Sequence, residues 1–173
     1  GETIFQSGAV SVFYDLDTPV TLAALKSVRP SYIGARGLAD FDLALSYSGG
    51  PSLQRMREEL GARRVATIYG HADPSVYAPT EGDDACSADL SYLGTYAADR
   101  QPILQRLFLD VAADEPDMRF VIAGSQYPGD FAWARNIHYV RHMPPAQHAT
   151  FFCSARLQLN ITRADMASCG YCP

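Results

Sequence analysis

DLSYLGTYAADRQPILQRLFLDVA, residues 89–112, reads as a buried strand, a glycine turn and an amphipathic helix in one unbroken unit. Leu90, Tyr92 and Leu93 supply the strand and Gly94 ends it. Ile103, Leu104, Leu107, Phe108 and Val111 then recur at helical spacing. A glycine at the turn of such a βα unit lets the backbone approach a bound group. The N–H groups opening the helix, at the positive end of its dipole, suit a phosphate. Thr95 follows the turn, and Arg100 stands at the first turn of the predicted helix, where a guanidinium can hold the same anion at two points. A plainer reading stays open, with Gly94 only turning the chain and Arg100 a solvated residue at a helix start.

On the N-terminal side the same alternation recurs. Residues 9–14 have the β-branched and aromatic enrichment of a strand, followed by a helix from Thr18 with Pro19 at its first position and Val20, Leu22, Ala23 and Leu25 on its apolar face. A strand at 41–47 is closed by Gly49 and Gly50. Pro51 opens a helix lined by Leu53, Met56 and Leu60 and stopped by Gly61. A third strand, 65–69, leads into GHADP. On the C-terminal side come strands at 118–123, 137–140 and 156–161 and a helix at 144–154. Residues 74–88 are polar, acidic and turn-rich. Strands alternating with helices predict an α/β chain of two Rossmann-like layered domains, each with a mostly parallel sheet and functional groups at the carboxyl ends of its strands. The expected division is 1–79, a linker at 80–88, and 89–173. Starting almost directly in a strand and stopping at Pro173 without a closing helix, the sequence reads as a piece truncated at both ends.

Composition narrows the function classes. A net charge of −5 with a single lysine, Lys26, leaves no clustered basic surface for nucleic acid. No apolar run reaches bilayer length and no secretory signal opens the chain, so no membrane span and a cytoplasmic location are expected. Four scattered cysteines do not suggest a disulfide scaffold. There is no G-x-G-x-x-G, no phosphate-loop signature and no G-x-S-x-G elbow, which tells against dehydrogenase, P-loop ATPase and serine hydrolase.

Several groups could carry chemistry. Asp15 and Asp17 form Asp-x-Asp directly after a strand, where residues two apart point the same way and two carboxylates can share a divalent cation. They also read as a helix start, with Asp17 and Thr18 beginning the helix and Asp15 held by backbone N–H groups, or with one of them as a general base. Cys169 and Cys172 have the spacing of a redox pair or half a zinc site, with His148 and Cys153 as conceivable partners, or are ordinary thiols. Among His71, His138, His142 and His148, His71 is best placed, at a strand end beside the linker. Gly124, Ser125 and Gln126, and Asn160, Thr162 and Arg163, also follow strands and offer donors to a sugar or phosphate, or serve as turn residues.

Four stretches together, VFYDLDTP, DLALSYSGGPSLQRMREELGARR with YGHADPSVYAPT, DLSYLGTYAADRQPILQRL, and LQLNITRADMASCGYCP, resemble the CgeB-type, spore-maturation-protein-like bacterial glycosyltransferases, a branch of the two-domain GT-B transferases. The resemblance implies two facing Rossmann-like domains with a nucleotide-sugar bound mainly by the second, at Gly94, Thr95, Arg100, Gly124, Ser125, Asn160 and Arg163. It implies transfer to an unidentified acceptor without an obligatory metal or other cofactor. Asp15 or Asp17 then falls on the acceptor side as base or hydrogen-bonding group, with His71 as a further catalytic candidate. Two rival readings are a noncatalytic binding module on the same scaffold and a metal-dependent transferase using Asp15 and Asp17. An exposed sheet edge where elements are missing predicts self-association.

Overall fold

The computed structural model describes residues 2–27 and 30–168. It divides into two compact units, one formed by the residues up to His71 together with those from Thr162, the other by Ala72–Ile161. The linker expected at 80–88 thus lies inside the second unit, and the segment after the last strand belongs to the first.

Unit 1 begins with a short helix, α1 (Glu2–Gln6), where the sequence had suggested a chain starting almost directly in a strand. Then follow β1 (Val12–Asp15), α2 (Thr18–Ala24), β2 (Leu43–Ser46), α3 (Pro51–Leu60) and β3 (Val65–Thr67). Each strand is joined to the next by a helical crossover, and all pairs are parallel in the order β1-β2-β3. Pro51 supplies the first turn of α3, and Gly61 ends it in the left-handed conformation at φ 70°. The core between helices and sheet is Leu22, Ile33, Leu38, Ala44, Met56, Leu60 and Ala62. The inward side of α2 also carries Thr18 and Thr21, both buried, because it meets the polar ends of β1 and β2. The apolar periodicity of 20–25 alone did not indicate this.

Unit 2 holds a 3-10 turn (Asp84–Cys86), β4 (Ala88–Leu93), α4 (Gln101–Leu104), a π turn (Gln105–Leu109), α5 (Asp110–Asp114), β5 (Phe120–Ala123), β6 (Ile137–Val140), a 3-10 turn (Pro145–Gln147), α6 (His148–Ser154) and β7 (Ala155–Leu159). Its four strands are all parallel in the order β6-β5-β4-β7. Every residue of β5 is buried. Phe120 and Ile122 face Leu104, Phe108 and Ala112, while Val121 and Ala123 pack with Met143 and Phe151. A sheet covered on both faces needs such an uninterrupted apolar strand. Asn136 ties the layers together: its side-chain amide donates to the carbonyls of Ala112, Glu115 and Met118 at 2.9, 3.0 and 3.1 Å. The chain is therefore α/β with two parallel, Rossmann-like sheets, as its alternation predicted.

Two local expectations are corrected. The strand and helix of 89–112 are not joined by one glycine, since residues 94–100 form a loop and α4 starts at Gln101. The helix also carries a π turn, which shifts its buried stripe to Leu104, Phe108, Leu109 and Ala112 and leaves Leu107 41% exposed. Short α7 (Ala164–Ser168) returns to unit 1 and packs on α2. Among the described residues no helix is long and apolar enough to cross a membrane.

Candidate functional site

In unit 2 the strand order reverses beside β4, with β5 and β6 on one side and β7 on the other. Ligands of doubly wound sheets bind outside the carboxyl ends of strands at such a switch point. The loops there are 94–100 after β4 and Asn160 after β7, with 124–136 after the neighbouring β5.

The starts of the loops after β4 and β5 are held by backbone bonds to each other and to the ends of β5 and β6. Gly94 N–H donates to Ala123 O at 2.9 Å, Gly124 N–H to Val140 O at 3.0 Å and Tyr96 N–H to Ser125 O at 2.9 Å. The Tyr127 and Tyr139 hydroxyls donate to Gly94 O and Gly124 O, each at 3.1 Å. Burial raises the Tyr127 phenol well above its ordinary range and also raises that of Tyr92, so both stay neutral and Tyr127 keeps its proton to donate. Gly124 has φ +150°, and a side chain there would strike the Gly94 carbonyl. The approach that needs a glycine at 124 is therefore made by another loop of the same unit. Gly94 itself lies against the Tyr92 ring. Its N–H and C=O are held by Ala123 and Tyr127, so the polar surface of this edge comes from its neighbours.

Those neighbours are Thr95, Ser125 and Arg100. The Thr95 and Ser125 hydroxyls lie 3.4 Å apart, and Arg100 folds back from the N-cap position to donate from Nη2 to Thr95 O at 3.0 Å. Arg100 Nε is shielded from water without a hydrogen-bond partner, as is Gln101 Oε1 beside it. Five of the residues singled out by sequence thus gather at one edge: Gly94, Thr95, Arg100, Gly124 and Ser125. Asn160 is exposed at the end of β7. Sequence reasoning missed Tyr127 and Tyr139, which brace the loops inside an aromatic cluster with Tyr96, Phe131 and Trp133. The only local hint was the density of rings over 127–139.

Residues 100–172 match a glycosyl transferase-like family model. No curated protein matches the chain. The glycosyl transferase-like segment begins at Arg100 and contains β5, β6 and β7, hence three of the four strands of the unit 2 sheet.

Arg163 is not at the unit 2 edge. It belongs to unit 1, where Nη1 donates to Asp17 Oδ2 at 2.9 Å. Asp17 occupies the N-cap position of α2 without capping it through its side chain. Asp15 is only 6% exposed, and its Oδ1 accepts from Asp17 N–H at 3.2 Å and from the Thr21 hydroxyl at 3.1 Å. Oδ2 has no hydrogen-bond partner. Burial raises the Asp15 pKa, opposed by the bonds from Thr21, Asp17 and Thr18. The two carboxylates of Asp-x-Asp thus have different partners. Among the described residues no three His, Cys, Asp or Glu side chains gather to hold a metal ion.

The histidines are dispersed. His71 is exposed four residues beyond β3, His138 and His142 are exposed, and the His148 ring contacts Met143 O at 3.1 Å. Cys153 is exposed, while Cys169 and Cys172 lie outside the described residues.

Proposed function

We propose that the protein transfers a sugar from a nucleoside-diphosphate donor to a hydroxyl acceptor, with the carboxyl edge of the unit 2 sheet as the donor seat. The observation that carries this reading is the reversal of strand order beside β4. Thr95, Ser125 and Arg100 cluster on that side of a sheet whose segment from Arg100 onward is glycosyl transferase-like. Hydroxyls and a guanidinium are donors a diphosphate needs. Asn160, after the strand across the switch point, suits a ribose or sugar hydroxyl.

In the reaction, an acceptor oxygen bonds to the anomeric carbon as the bond from that carbon to the diphosphate oxygen breaks. The diphosphate leaves with the electron pair, and the acceptor proton passes to a carboxylate, the role for which Asp15 and Asp17 stand as candidates. Arg100 and the loop donors stabilise the charge that grows on the leaving group, so the proposal invokes no obligatory ion.

Calorimetric titration with uridine and guanosine diphosphates, with and without a chelator, tests the seat. Binding of at least one diphosphate that survives chelation is expected. Absence of binding by both overturns the donor seat, and binding only with manganese overturns the metal-free form.

A further inference from the structure

Beneath α2 a polar chain runs from the surface into unit 1. The Thr21 hydroxyl donates to Asp15 Oδ1 at 3.1 Å, so the Tyr32 hydroxyl, 3.2 Å from Thr21 Oγ1, must be the donor in that contact. The chain therefore points inward, Tyr32 to Thr21 to Asp15, and stops at the partnerless Asp15 Oδ2. Ser48 Oγ, fully buried just beyond β2, is likewise unpaired. Among the described residues of unit 1, both unsatisfied side-chain atoms thus fall at the carboxyl ends of adjacent strands, the edge where such sheets hold ligands. A shielded carboxyl oxygen without a partner costs stability, and a chain optimised for folding alone would replace it.

Above Asp15 lies a cavity of about 420 Å³, walled by Phe13, Leu16, Val20 and Tyr32, with Asp17 and Arg163 at its side. Three features define the occupant. Ionised, Oδ2 needs a donor; protonated, it needs an acceptor; a hydroxyl supplies both, whereas an ammonium only donates and a carboxylate only accepts. Asp17 and Arg163 neutralise one another, so they add no net charge to attract an ion. Tyr32, 62% exposed with its ring stacked on Phe13, and Leu16, 60% exposed, offer apolar surface for a ring.

We propose that this cavity binds a neutral polyhydroxyl ligand, a sugar or sugar-like alcohol, one hydroxyl of which completes the Tyr32–Thr21–Asp15 chain while its ring face lies on Tyr32. Oδ2 is shielded from water. The ligand's hydroxyl reaches it with a local shift of the cavity wall that leaves the chain intact. The proposal deepens the acceptor half of the transferase reading and rests on it for the ligand's fate. Its test uses no nucleotide, so either can fail alone.

The test is saturation-transfer NMR and calorimetry on the full chain with methyl glucopyranoside and methyl galactopyranoside, set against cyclohexylamine and cyclohexanecarboxylate. At least one pyranoside is expected to bind at up to about 50 mM. Asp15→Leu should weaken it at least about tenfold, and Asp15→Asn, which keeps a donor and an acceptor, by less than about threefold. Val20→Phe, which fills the cavity without touching the polar chain, should also weaken it about tenfold and decides the matter if Asp15→Leu fails to fold. No pyranoside binding, binding of the amine or the acid alone, or pyranoside binding indifferent to Val20→Phe overturns the proposal.

Discussion

The carboxyl edges of the two sheets differ in which polar groups they leave unmet. In unit 2 the backbone of both glycines is satisfied within the unit, Gly94 through Ala123 and Tyr127 and Gly124 through Val140 and Tyr139, and the shielded atoms without partners are Arg100 Nε and Gln101 Oε1. In unit 1 the edge keeps a buried carboxyl oxygen and a buried serine hydroxyl without partners. The first edge braces its glycine backbone and presents side chains, and the second leaves its unmet atoms on a carboxyl and a hydroxyl at the strand ends. Substitutions at the two edges should therefore differ in sign as well as size.

The largest effect is expected at Gly124. A valine there would drive its side chain into the Gly94 carbonyl at a backbone angle that side chains rarely adopt. We expect a loss of about 3 kcal/mol in urea denaturation of Gly124→Val. A variant melting like the parent would show that the stitching does not hold this edge. Next, Arg100→Ala should lower nucleoside-diphosphate affinity about tenfold by calorimetry. Unchanged affinity would remove Arg100 from the seat.

Asp15→Asn should act the other way and stabilise the fold. The sign follows from the raised native pKa: between the ordinary carboxyl value and the native one the folded chain holds the proton that the unfolded chain has released. Stability falls as pH rises through that window, and the cost is complete above it. Asp15→Asn should therefore melt higher than the parent at pH 7, with the difference closing as pH drops toward the ordinary carboxyl range. A variant that melts lower at neutral pH would mean that Oδ2 is satisfied in solution. The smallest effect is expected from Arg163→Ala, since its pair with Asp17 is partly exposed, at 37% and 46%. Less than about 1 kcal/mol in the same denaturation assay would fit such a pair, and a larger loss would make it a structural clamp.

The fold was legible wherever local pattern and final packing agree. Apolar runs flanked by glycine or proline located β2, β5 and α3, and their alternation implied parallel sheets. The missing features depend on partners far along the chain. Asp17 and Arg163 are 146 residues apart, and Thr21 and Tyr32 share no periodic pattern. Gly94 was correctly read as the end of β4, but its Tyr127 partner lies 33 residues on, so a braced loop of seven residues looked like a tight turn. At the candidate site, sequence singled out Thr95, Arg100 and Ser125. It did not reveal that Gly94 is held within the protein while Asp15 keeps an unmet oxygen.

The π turn leaves one residue in excess between two well-anchored helical segments. Its buried stripe, Leu104, Phe108, Leu109 and Ala112, follows the steps i, i+4, i+5 and i+8. Deleting exposed Leu107 would turn these into i, i+3, i+4 and i+7, the spacing of an ordinary amphipathic helix, with every anchor still facing the sheet. The chain can shed a residue there without re-threading its interior.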